Sequence, residues 1–216
     1  MKKMIFLGVL IMNNQIGQII TLPSIKESGS IPVEKAINDR RSVRSYKKEP
    51  LTLQDLSQLL WAAQGITDKS RVLRAAPSAG ALYPLELYVV AGDVKDLEPG
   101  VYKYTIGKHE LTKICDGDKR NQLMKAALSQ SWVGSAPASI IICGIYERTS
   151  RKYGRQRAPQ YVHIEVGAVA ENVYLQGRAL NIGTVFVGAF DDAQIQKIIE
   201  AQSDEKPLAI LPLGKI

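Results

Sequence analysis

The stretch LELYVVAGDVKDLEPGVYKYTIGKHELTKIC, residues 85–115, decides the fold class of this chain. It contains three short runs rich in β-branched and aromatic residues, LELYVVA (85–91), VYKY (101–104) and ELTKIC (110–115). A Pro-Gly pair at 99–100 and a Gly-Lys pair at 107–108 separate them with turn residues. The pattern therefore predicts a strand followed by a hairpin, and hairpins require antiparallel pairing.

Helical patterns surround this stretch on both sides. Thr52 predicts the start of one helix because Asp55 follows it at the third helical position, and Gly65 predicts its end. The other predicted helices run from Ser30 as N-cap to the basic residues 40–44, over 119–129 with Asp118 as N-cap, over about 162–180, and onward from Asp191 as N-cap.

Further strands are predicted at 138–145, 184–188 and 207–213. Because strands and helices alternate irregularly and include a hairpin, the pattern favours an α+β fold, with a central, mostly antiparallel sheet flanked by helices. The length of 216 residues fits one domain, assigned to 23–216, after an N-terminal leader or extension over 1–22.

The predicted helix over 162–180 is apolar on nearly every face. A helix without a polar face is buried on all sides, and in a domain of this size that indicates burial by a second subunit as well as by the sheet. Its small residues, Gly167, Ala168, Ala170 and Gly177, would let another helix cross closely. We therefore expect a homodimer.

Composition narrows the classes of ligand. Lysine and arginine number 28 against 21 aspartate and glutamate, and the net charge of +7 favours an anionic ligand such as a phosphorylated cofactor. The two cysteines, Cys115 and Cys143, form no CxxC pair, which excludes a disulfide scaffold. The two histidines, His109 and His163, lack the spacing of zinc ligands, and no metal site is predicted.

The N-terminus has two lysines and then the apolar run Met4 to Met12, like the beginning of a short signal peptide. Nine residues are too few to span a bilayer as a helix, so no stable membrane insertion is expected. No small-residue cleavage site follows in NNQIGQIITL (13–22), which favours a cytoplasmic protein. An N-terminal strand or helix, or an upstream start codon, is the alternative interpretation.

Three arginines and a serine lie within five residues: Arg40, Arg41, Ser42 and Arg44. Arginine forks match phosphate oxygens, and in an extended segment residues 40, 42 and 44 point to the same side. The segment therefore indicates a phosphate site. A solvated basic turn is the alternative, because charge runs are commonly surface features.

Two loops rich in small residues would let a flat ligand approach the backbone. PSAGALYP (77–84) enters a predicted strand, and GTVFVGAFD (183–191) leads into a helix through Gly188, where backbone N–H groups are available to a ligand heteroatom. The loop over 77–84 also has an ordinary explanation as a connection between elements. No Rossmann or P-loop motif is present.

Taken together and in order, five segments resemble the nitroreductase superfamily, and within it the SagB-type, azoline-dehydrogenase-like branch. They are RRSVRSY (40–46), LSQLLWAAQGIT (56–67), PSAGALYPLELYVV (77–90), KYGRQRAPQYVHIEVGAVAENVYLQGRALNIGT (152–184) and VGAFDD (187–192). The resemblance runs from about residue 22 to the C-terminus. It implies an FMN enzyme that is a homodimer with two active sites at the interface.

The resemblance also implies roles for particular residues. The FMN phosphate, ribityl chain and pyrimidine edge would be bound by Arg40, Arg41, Ser42 and Arg44, with Gln130 at the pyrimidine edge. The flavin of the other subunit would be reached by Pro77, Ser78, Ala79 and Gly80, and flavin N5 by backbone groups of Gly188 and Ala189. Many family members continue past the last strand with a basic tail that grips the phosphate, whereas this sequence stops at Lys215-Ile216, which puts that grip in question.

In azoline dehydrogenases an adjacent Lys-Tyr pair is linked to catalysis, and Lys152 and Tyr153 occupy the matching positions. An amine cation beside a phenol lowers the phenol pKa, so this pair would act as a base toward a substrate. The alternative is a basic surface loop over 148–157 in which the tyrosine only packs.

The function implied is an FMN-dependent oxidoreductase that transfers hydride by a ping-pong mechanism from NAD(P)H to a nitroaromatic or quinone acceptor. One alternative is a dehydrogenase that oxidises an azoline or related C–N bond with Lys152 and Tyr153. An alternative of another class is a non-enzymatic anion or nucleic-acid binding protein. Nucleic acid is disfavoured because the basic clusters lack the interleaved aromatic residues on which bases stack.

Overall fold

The computed structural model describes residues 16–216, and a seven-stranded antiparallel sheet forms its framework. The strands are β1 (Ile19–Thr21), β2 (Leu51–Thr52), β3 (Ile66–Asp68), β4 (Leu73–Arg74), β5 (Leu85–Ala91), β6 (Val94–Lys95), β7 (Gly100–Thr105), β8 (Glu110–Asp116), β9 (Ala138–Gly144), β10 (Ile182–Thr184) and β11 (Lys206–Lys215). The helices are α1 (Val33–Asp39), α2 (Leu53–Gln64), α3 (Arg120–Ala126), α4 (Ser131–Ser135), α5 (Tyr146–Tyr153), α6 (Ala158–Ala179) and α7 (Asp192–Ile198), and a 3-10 turn covers Ala79–Ala81.

The large sheet has the order β1-β8-β7-β5-β9-β11-β10, while β2 pairs with β6 and β3 pairs with β4 outside it. The predicted strand and hairpin correspond to β5, β7 and β8, and Thr105 pairs with Glu110 next to the hairpin turn. The predicted α+β fold with a mostly antiparallel sheet is confirmed.

Helices cover both faces of the sheet. Along β5, Leu87 and Val89 belong to the core that α2 and α6 cover, whereas Tyr88 and Val90 belong to the core under α3, α4 and α7. Side chains of a strand alternate between its two faces, so this central strand contributes to both cores.

The predicted ends of α2 are confirmed. Thr52 Oγ1 accepts the Asp55 N–H at 3.0 Å, and the Asp55 carboxylate accepts the Thr52 N–H at 2.9 Å. This reciprocal pair satisfies backbone donors that the first turn of a helix leaves without partners. Gly65 follows the last residue, and its N–H donates to Trp61 O at 2.7 Å. Asp191 likewise caps α7, as predicted.

Three other boundaries were predicted wrongly. Pro32, not Ser30, precedes α1, and no side chain caps that helix. Helix α3 spans only Arg120–Ala126 because the chain turns at residues 128 and 129, which have positive φ of 54° and 60°. The strand predicted over 184–188 is interrupted after Thr184, because the Phe186 N–H donates to the Tyr174 hydroxyl instead of to a neighbouring strand, and pairing with β11 resumes only as an isolated bridge from Val187 to Ile210.

Helix α6 begins at Ala158 and presents two different faces. Ala170 is buried in the chain's own core, and a Cβ on Gly177 would lie 2.9 Å from Ile182 O, so both small residues serve packing within one chain. The close crossing with a helix of a second subunit, to which these residues were assigned, stays a prediction. Ile164 is 60% exposed, and no atom of residues 16–216 lies within 4 Å of a Cβ on Gly167. The face with these two residues is uncovered by the described part of the chain.

The proposed leader lies largely outside the described residues, which begin at 16. Of the assigned extension, Ile19–Thr21 pairs with β8 at the edge of the sheet. Within residues 16–216, no helix combines the length and apolarity required to cross a membrane.

Candidate active site

The arginine-rich segment that follows α1 runs beside β10. Ser42 forms a parallel bridge with Thr184, which attaches the segment to the edge of the sheet. Arg40 and Ser42 both approach Tyr174 of α6. The Arg40 guanidinium carbon lies 5.2 Å from the Tyr174 ring centre, and Ser42 Oγ lies 3.1 Å from Tyr174 Oη. Arg40 Nε also lies 3.8 Å from the Glu171 carboxylate.

The other two arginines of the segment lie elsewhere. Arg41 Nη1 donates to Asn38 O at 2.9 Å, which bends this side chain back toward the end of α1. The Arg44 guanidinium lies over the ring of Trp132 in α4, 5.5 Å from its centre. Arg40 and Arg44, which lie on either side of Ser42 in the sequence, therefore contact different aromatic rings, Tyr174 and Trp132.

A cavity of about 250 Å³ opens between this segment and α6, lined in part by Arg40, Arg41, Arg178 and Thr184. Thr184 Oγ1 is buried and has no hydrogen-bond partner among the described residues. Buried hydroxyls normally have a partner, so this one is available to a polar ligand atom. Asp39 also lines the cavity, and its hydrogen bond with the Lys35 ammonium lowers the pKa of that carboxyl to about 2. Arg178 Nη2 lies 3.5 Å from the same carboxylate.

Gln130 precedes α4 and connects it to the loop after β10. Its Nε2 donates to Ala127 O and to Ala189 O, each at 2.9 Å. Gly188 and Ala189 are exposed, and neither backbone N–H donates to an acceptor within residues 16–216. The buried Trp132 Nε1 likewise lacks a partner in this part of the chain. The backbone N–H groups of Gly188 and Ala189 and the indole N–H of Trp132 therefore remain available to an acceptor atom of a ligand.

Tyr174 connects the arginine-rich segment to the loop after β10, since its hydroxyl contacts Ser42 and accepts the Phe186 N–H at 2.8 Å. Its role was missed because a tyrosine in an apolar helix resembles a core residue in sequence. The predicted cofactor residues on this side are Arg40, Arg41, Ser42, Arg44, Gln130, Gly188 and Ala189, and we call them the arginine cluster.

The remaining predicted residues lie together at the other end of α6. We call them the lysine-tyrosine cluster: Pro77, Ser78, Ala79, Gly80, Lys152 and Tyr153. Gly80 has a φ of 61°, and a Cβ there would lie 2.7 Å from Lys152 Nζ and 2.9 Å from Tyr153 Oη. Lys152 and Tyr153 occupy the last turn of helix α5 rather than a loop, Lys152 is exposed, and its Nζ lies 5.6 Å from the Tyr153 ring centre.

The two clusters are far apart on one chain. The Tyr153 ring packs on Tyr161 of α6 with centres 4.6 Å apart, whereas the arginine cluster contacts Tyr174 of the same helix. Tyr174 follows Tyr161 by thirteen positions in the sequence. At about 1.5 Å per residue, the clusters are separated by roughly 20 Å along α6.

A buried polar network behind the loop over 77–84 was not predicted. Glu165 of α6 is only 2% exposed and accepts a hydrogen bond from Gln64 Nε2 at 3.1 Å. Gln64 Oε1 in turn accepts from Arg74 Nη1 at 3.2 Å. Burial raises the pKa of Glu165 and lowers that of Arg74.

His109 and the two cysteines have structural surroundings. His109 contacts the Ser57 hydroxyl at 2.8 Å through Nε2 and the Tyr104 hydroxyl at 2.7 Å through Nδ1. Both cysteines are free and buried. The described residues contain no group of three or more His, Cys, Asp or Glu side chains arranged to hold a metal ion.

The family follows from comparison with known proteins. The model of the nitroreductase family matches residues 37–215, and the chain belongs to this family. A Methanocaldococcus jannaschii protein with a provisional nitroreductase name is 47% identical over 91% of this chain and 96% of its own length. A provisional nitroreductase of Ralstonia eutropha has a crystal structure that superposes with a TM-score of 0.80 at 28% identity, covering 94% of this chain and 92% of that one.

A more distant relative is a peptide-processing protein. The microcin B17-processing protein of Escherichia coli is 23% identical over 78% of this chain and 64% of its own length. The chain is thus a nitroreductase-family oxidoreductase that is also related to a peptide-processing protein.

Proposed function

We propose that this protein is an FMN-dependent oxidoreductase whose active sites form between two copies of the chain. The observation that carries the proposal is the division of the predicted site residues into two clusters roughly 20 Å apart along α6. The arginine cluster of one copy would hold FMN. The lysine-tyrosine cluster of the other copy would reach that flavin and carry the proposed proton-transfer pair. FMN, when bound, supplies an N5 atom that accepts and returns hydride.

The arginine cluster has the chemistry to hold FMN. Arg40 offers a charged fork to a phosphate, and the buried Thr184 hydroxyl, which lacks a partner in the described structure, lies in the adjacent cavity. The exposed N–H groups of Gly188 and Ala189 suit the heteroatoms of a flavin ring. Gln130 supports this loop by bonding Ala189 O.

The uncovered face of α6 supports the homodimer. Gly167 and Ala168 lie midway between Tyr161 and Tyr174, where a two-fold axis would pair the helices antiparallel. Such pairing places the arginine cluster of one chain beside the lysine-tyrosine cluster of the other. It also covers Ile164, which is exposed in the single chain.

We propose NAD(P)H as hydride donor and a nitroaromatic or quinone compound as acceptor. The relative that is 47% identical supports this, since it has a nitroreductase name. A cytoplasmic location, where NAD(P)H is available, is part of the proposal.

Oxidation of an azoline or related C–N bond is the second candidate, and the contact of Lys152 and Tyr153 with Gly80 favours it. Oxidation of such a ring removes two hydrogens. One leaves as hydride, which bound FMN would accept at N5 and pass on to oxygen, and the other leaves as a proton. Tyr153, with the Lys152 ammonium near its ring, is the group we propose takes the proton.

The deciding experiment begins with the absorbance of the purified protein near 450 nm, followed by anaerobic addition of NADH or NADPH. A yellow protein bleached by either nucleotide supports the reductase. A yellow protein that only a thiazoline peptide bleaches supports the dehydrogenase. A colourless protein that binds RNA in a salt-sensitive manner would overturn both in favour of an anion-binding protein.

Tyr153→Phe separates the two candidates further. If Tyr153 is the base, the variant lowers turnover of a thiazoline peptide about 10²- to 10⁴-fold. Its reduction by NAD(P)H stays near the wild-type rate, since hydride transfer from a nicotinamide requires no base. Equal losses in both reactions would show that Tyr153 has only a structural role.

A further inference from the structure

The loop over 77–84, which carries Gly80, follows an unfavourable backbone path. Gly80, Ala81 and Tyr83 have φ of 61°, 53° and 46°, all in the left-handed region. Ala81 and Tyr83 have side chains that disfavour this region. Such conformations persist only where the surrounding structure holds them. The contacts of Tyr83 therefore show what keeps the loop in place.

Two contacts of Tyr83 come from residues that precede it closely in the chain. The Tyr83 N–H donates to Ser78 Oγ at 2.9 Å, which closes the loop on itself. The Tyr83 hydroxyl accepts the Arg74 backbone N–H at 3.2 Å, and the Arg74 guanidinium lies 4.4 Å from the Tyr83 ring centre. These contacts hold Tyr83 but do not connect it to helix α5, on which Lys152 and Tyr153 lie.

Arg148 makes the connection between the loop and α5. Its Nη1 donates to Tyr83 O at 3.0 Å, and its Nη2 donates to Glu86 Oε1 at 2.5 Å. Because a guanidinium offers its donors in a fixed plane, one side chain ties α5 to the loop and to strand β5 at once. Arg148 precedes Lys152 by four positions, so the two residues lie on the same side of the helix.

Glu86 is itself held in the centre of the sheet. Its side chain is 15% exposed, and Lys103 Nζ of β7 lies 3.9 Å from its second oxygen. Lys103 also donates to the buried carboxylate of Glu205, which accepts the Tyr88 hydroxyl as well. This series of ion pairs fixes the Glu86 carboxylate, so Arg148 joins α5 to the framework of the fold.

We propose that Arg148 is a positioning residue, whose guanidinium holds α5 against the strained loop and so keeps Lys152 and Tyr153 beside Gly80. Its effect on catalysis rests on the proposed function of that pair, whereas its effect on the docking of α5 does not. Arg148 acts through Tyr83 O and the Glu86 carboxylate.

Replacing Arg148 by methionine removes the guanidinium and keeps an unbranched side chain. In Arg148→Met, Glu86 still has Lys103 as a neighbouring cation, so its carboxylate is not left unpaired. We expect backbone amides over 79–83 and 150–154 to exchange at least about tenfold faster at fixed pH, because a lost charge-assisted hydrogen bond shifts a local opening equilibrium by at least that factor. Hydrogen exchange measures this without requiring activity.

Arg120→Met is the matched control. Arg120 likewise pairs with a carboxylate, that of Asp118, at 2.6 Å, and donates to a backbone carbonyl, Ala136 O, at 3.4 Å. Its side chain lies against Gly92, which follows β5 at the end opposite to Glu86. The control variant loses the same kinds of contact and should leave both segments at the wild-type exchange rate.

A double-mutant cycle tests whether Arg148 acts through Glu86. Glu86→Gln keeps the size of the side chain and removes its charge, and it should accelerate exchange of the same segments by a smaller factor. If the two residues act through one contact, Arg148→Met combined with Glu86→Gln should exchange no faster than Arg148→Met alone. Unchanged exchange in Arg148→Met, an equal acceleration in Arg120→Met, or multiplied effects in the double variant would overturn the positioning role.

Kinetics separate this proposal from the proposed function. With a thiazoline peptide, Arg148→Met should lower kcat about 10- to 100-fold and change KM little, because a displacement of about 1 Å at a reacting group costs on the order of 10²-fold in rate. Bleaching of the flavin by NAD(P)H should keep its wild-type rate. Faster exchange with an unchanged kcat would overturn the positioning role. Faster exchange in a protein that never oxidises thiazolines would leave the docking role of Arg148 standing and refute the dehydrogenase chemistry.

Discussion

A methyl group added at Gly80 tests whether the lysine-tyrosine cluster acts as a unit. In Gly80→Ala the new Cβ would lie 2.7 Å from Lys152 Nζ and 2.9 Å from Tyr153 Oη. Carbon and polar heavy atoms normally stay about 3.5 Å apart or more, so both groups must retreat by roughly 0.5 to 1 Å. A displacement of about 1 Å at a reacting group costs on the order of 10²-fold in rate.

The expected loss of stability is small by comparison. An alanine in the left-handed region costs roughly 1 to 2 kcal/mol, and the lower entropy of the unfolded chain returns about 0.4 to 1 kcal/mol. The remainder of about 1 kcal/mol lowers Tm by roughly 2 to 4 °C in a domain of this size. Gly117→Ala is the matched control, because Gly117 has a φ of 84° and no atom of residues 16–216 lies within 4 Å of an added Cβ.

The assay compares Tm, thiazoline turnover and anaerobic reduction by NAD(P)H in both variants. We expect similar Tm values for the two, with thiazoline turnover reduced about 10- to 100-fold in Gly80→Ala alone. Reduction by NAD(P)H should change little in either variant. If Gly80→Ala turned over the peptide as fast as Gly117→Ala, the position of Lys152 and Tyr153 against Gly80 would be irrelevant to the chemistry.

Three further predictions address the cofactor, the interface and the fold. Arg40→Ala and Arg44→Ala should each weaken FMN about 10- to 100-fold in titrations of the apoprotein, since a charge-assisted contact contributes roughly 1.5 to 3 kcal/mol; unchanged affinity in both would exclude this phosphate site. Gly167→Arg should be a monomer by light scattering and should lack the absorbance of flavin. Gly29→Arg, at an equally open position, should remain a flavin-containing dimer. A dimeric Gly167→Arg protein would place the interface elsewhere. Thr52→Ala removes the cap of α2 and should cost about 1 kcal/mol in chemical denaturation without changing FMN affinity; an unchanged unfolding midpoint would mean that the cap is energetically neutral.

Signals carried by neighbouring residues predicted much of the fold. Thr52 and Asp55 satisfy each other's backbone groups within one helical turn, so their spacing alone identified the start of α2. The strand β5 and the hairpin of β7 and β8 were recognised from composition and turn residues for the same reason. Local geometry is sufficient for such elements, because the partners lie within a few residues.

Prediction failed where a distant residue decided the local structure. The strand expected over 184–188 stops early because Tyr174, on another element, accepts the Phe186 N–H. Small residues of α6 also look alike in sequence. Only packing shows that Ala170 and Gly177 face the chain's own core, whereas Gly167 faces outward.

The sequence by itself determined the α+β class, the family and the residue types of the candidate site, because motifs and periodicity are local properties of the chain. Tertiary structure alone divided those residues between the two ends of α6 and brought Gly80 to Lys152 and Tyr153. It also brought Glu165 of α6 to Gln64 of α2. Hydrogen bonds between residues far apart in the chain leave no periodic signal, since their donors and acceptors meet only when the sheet and helices have packed.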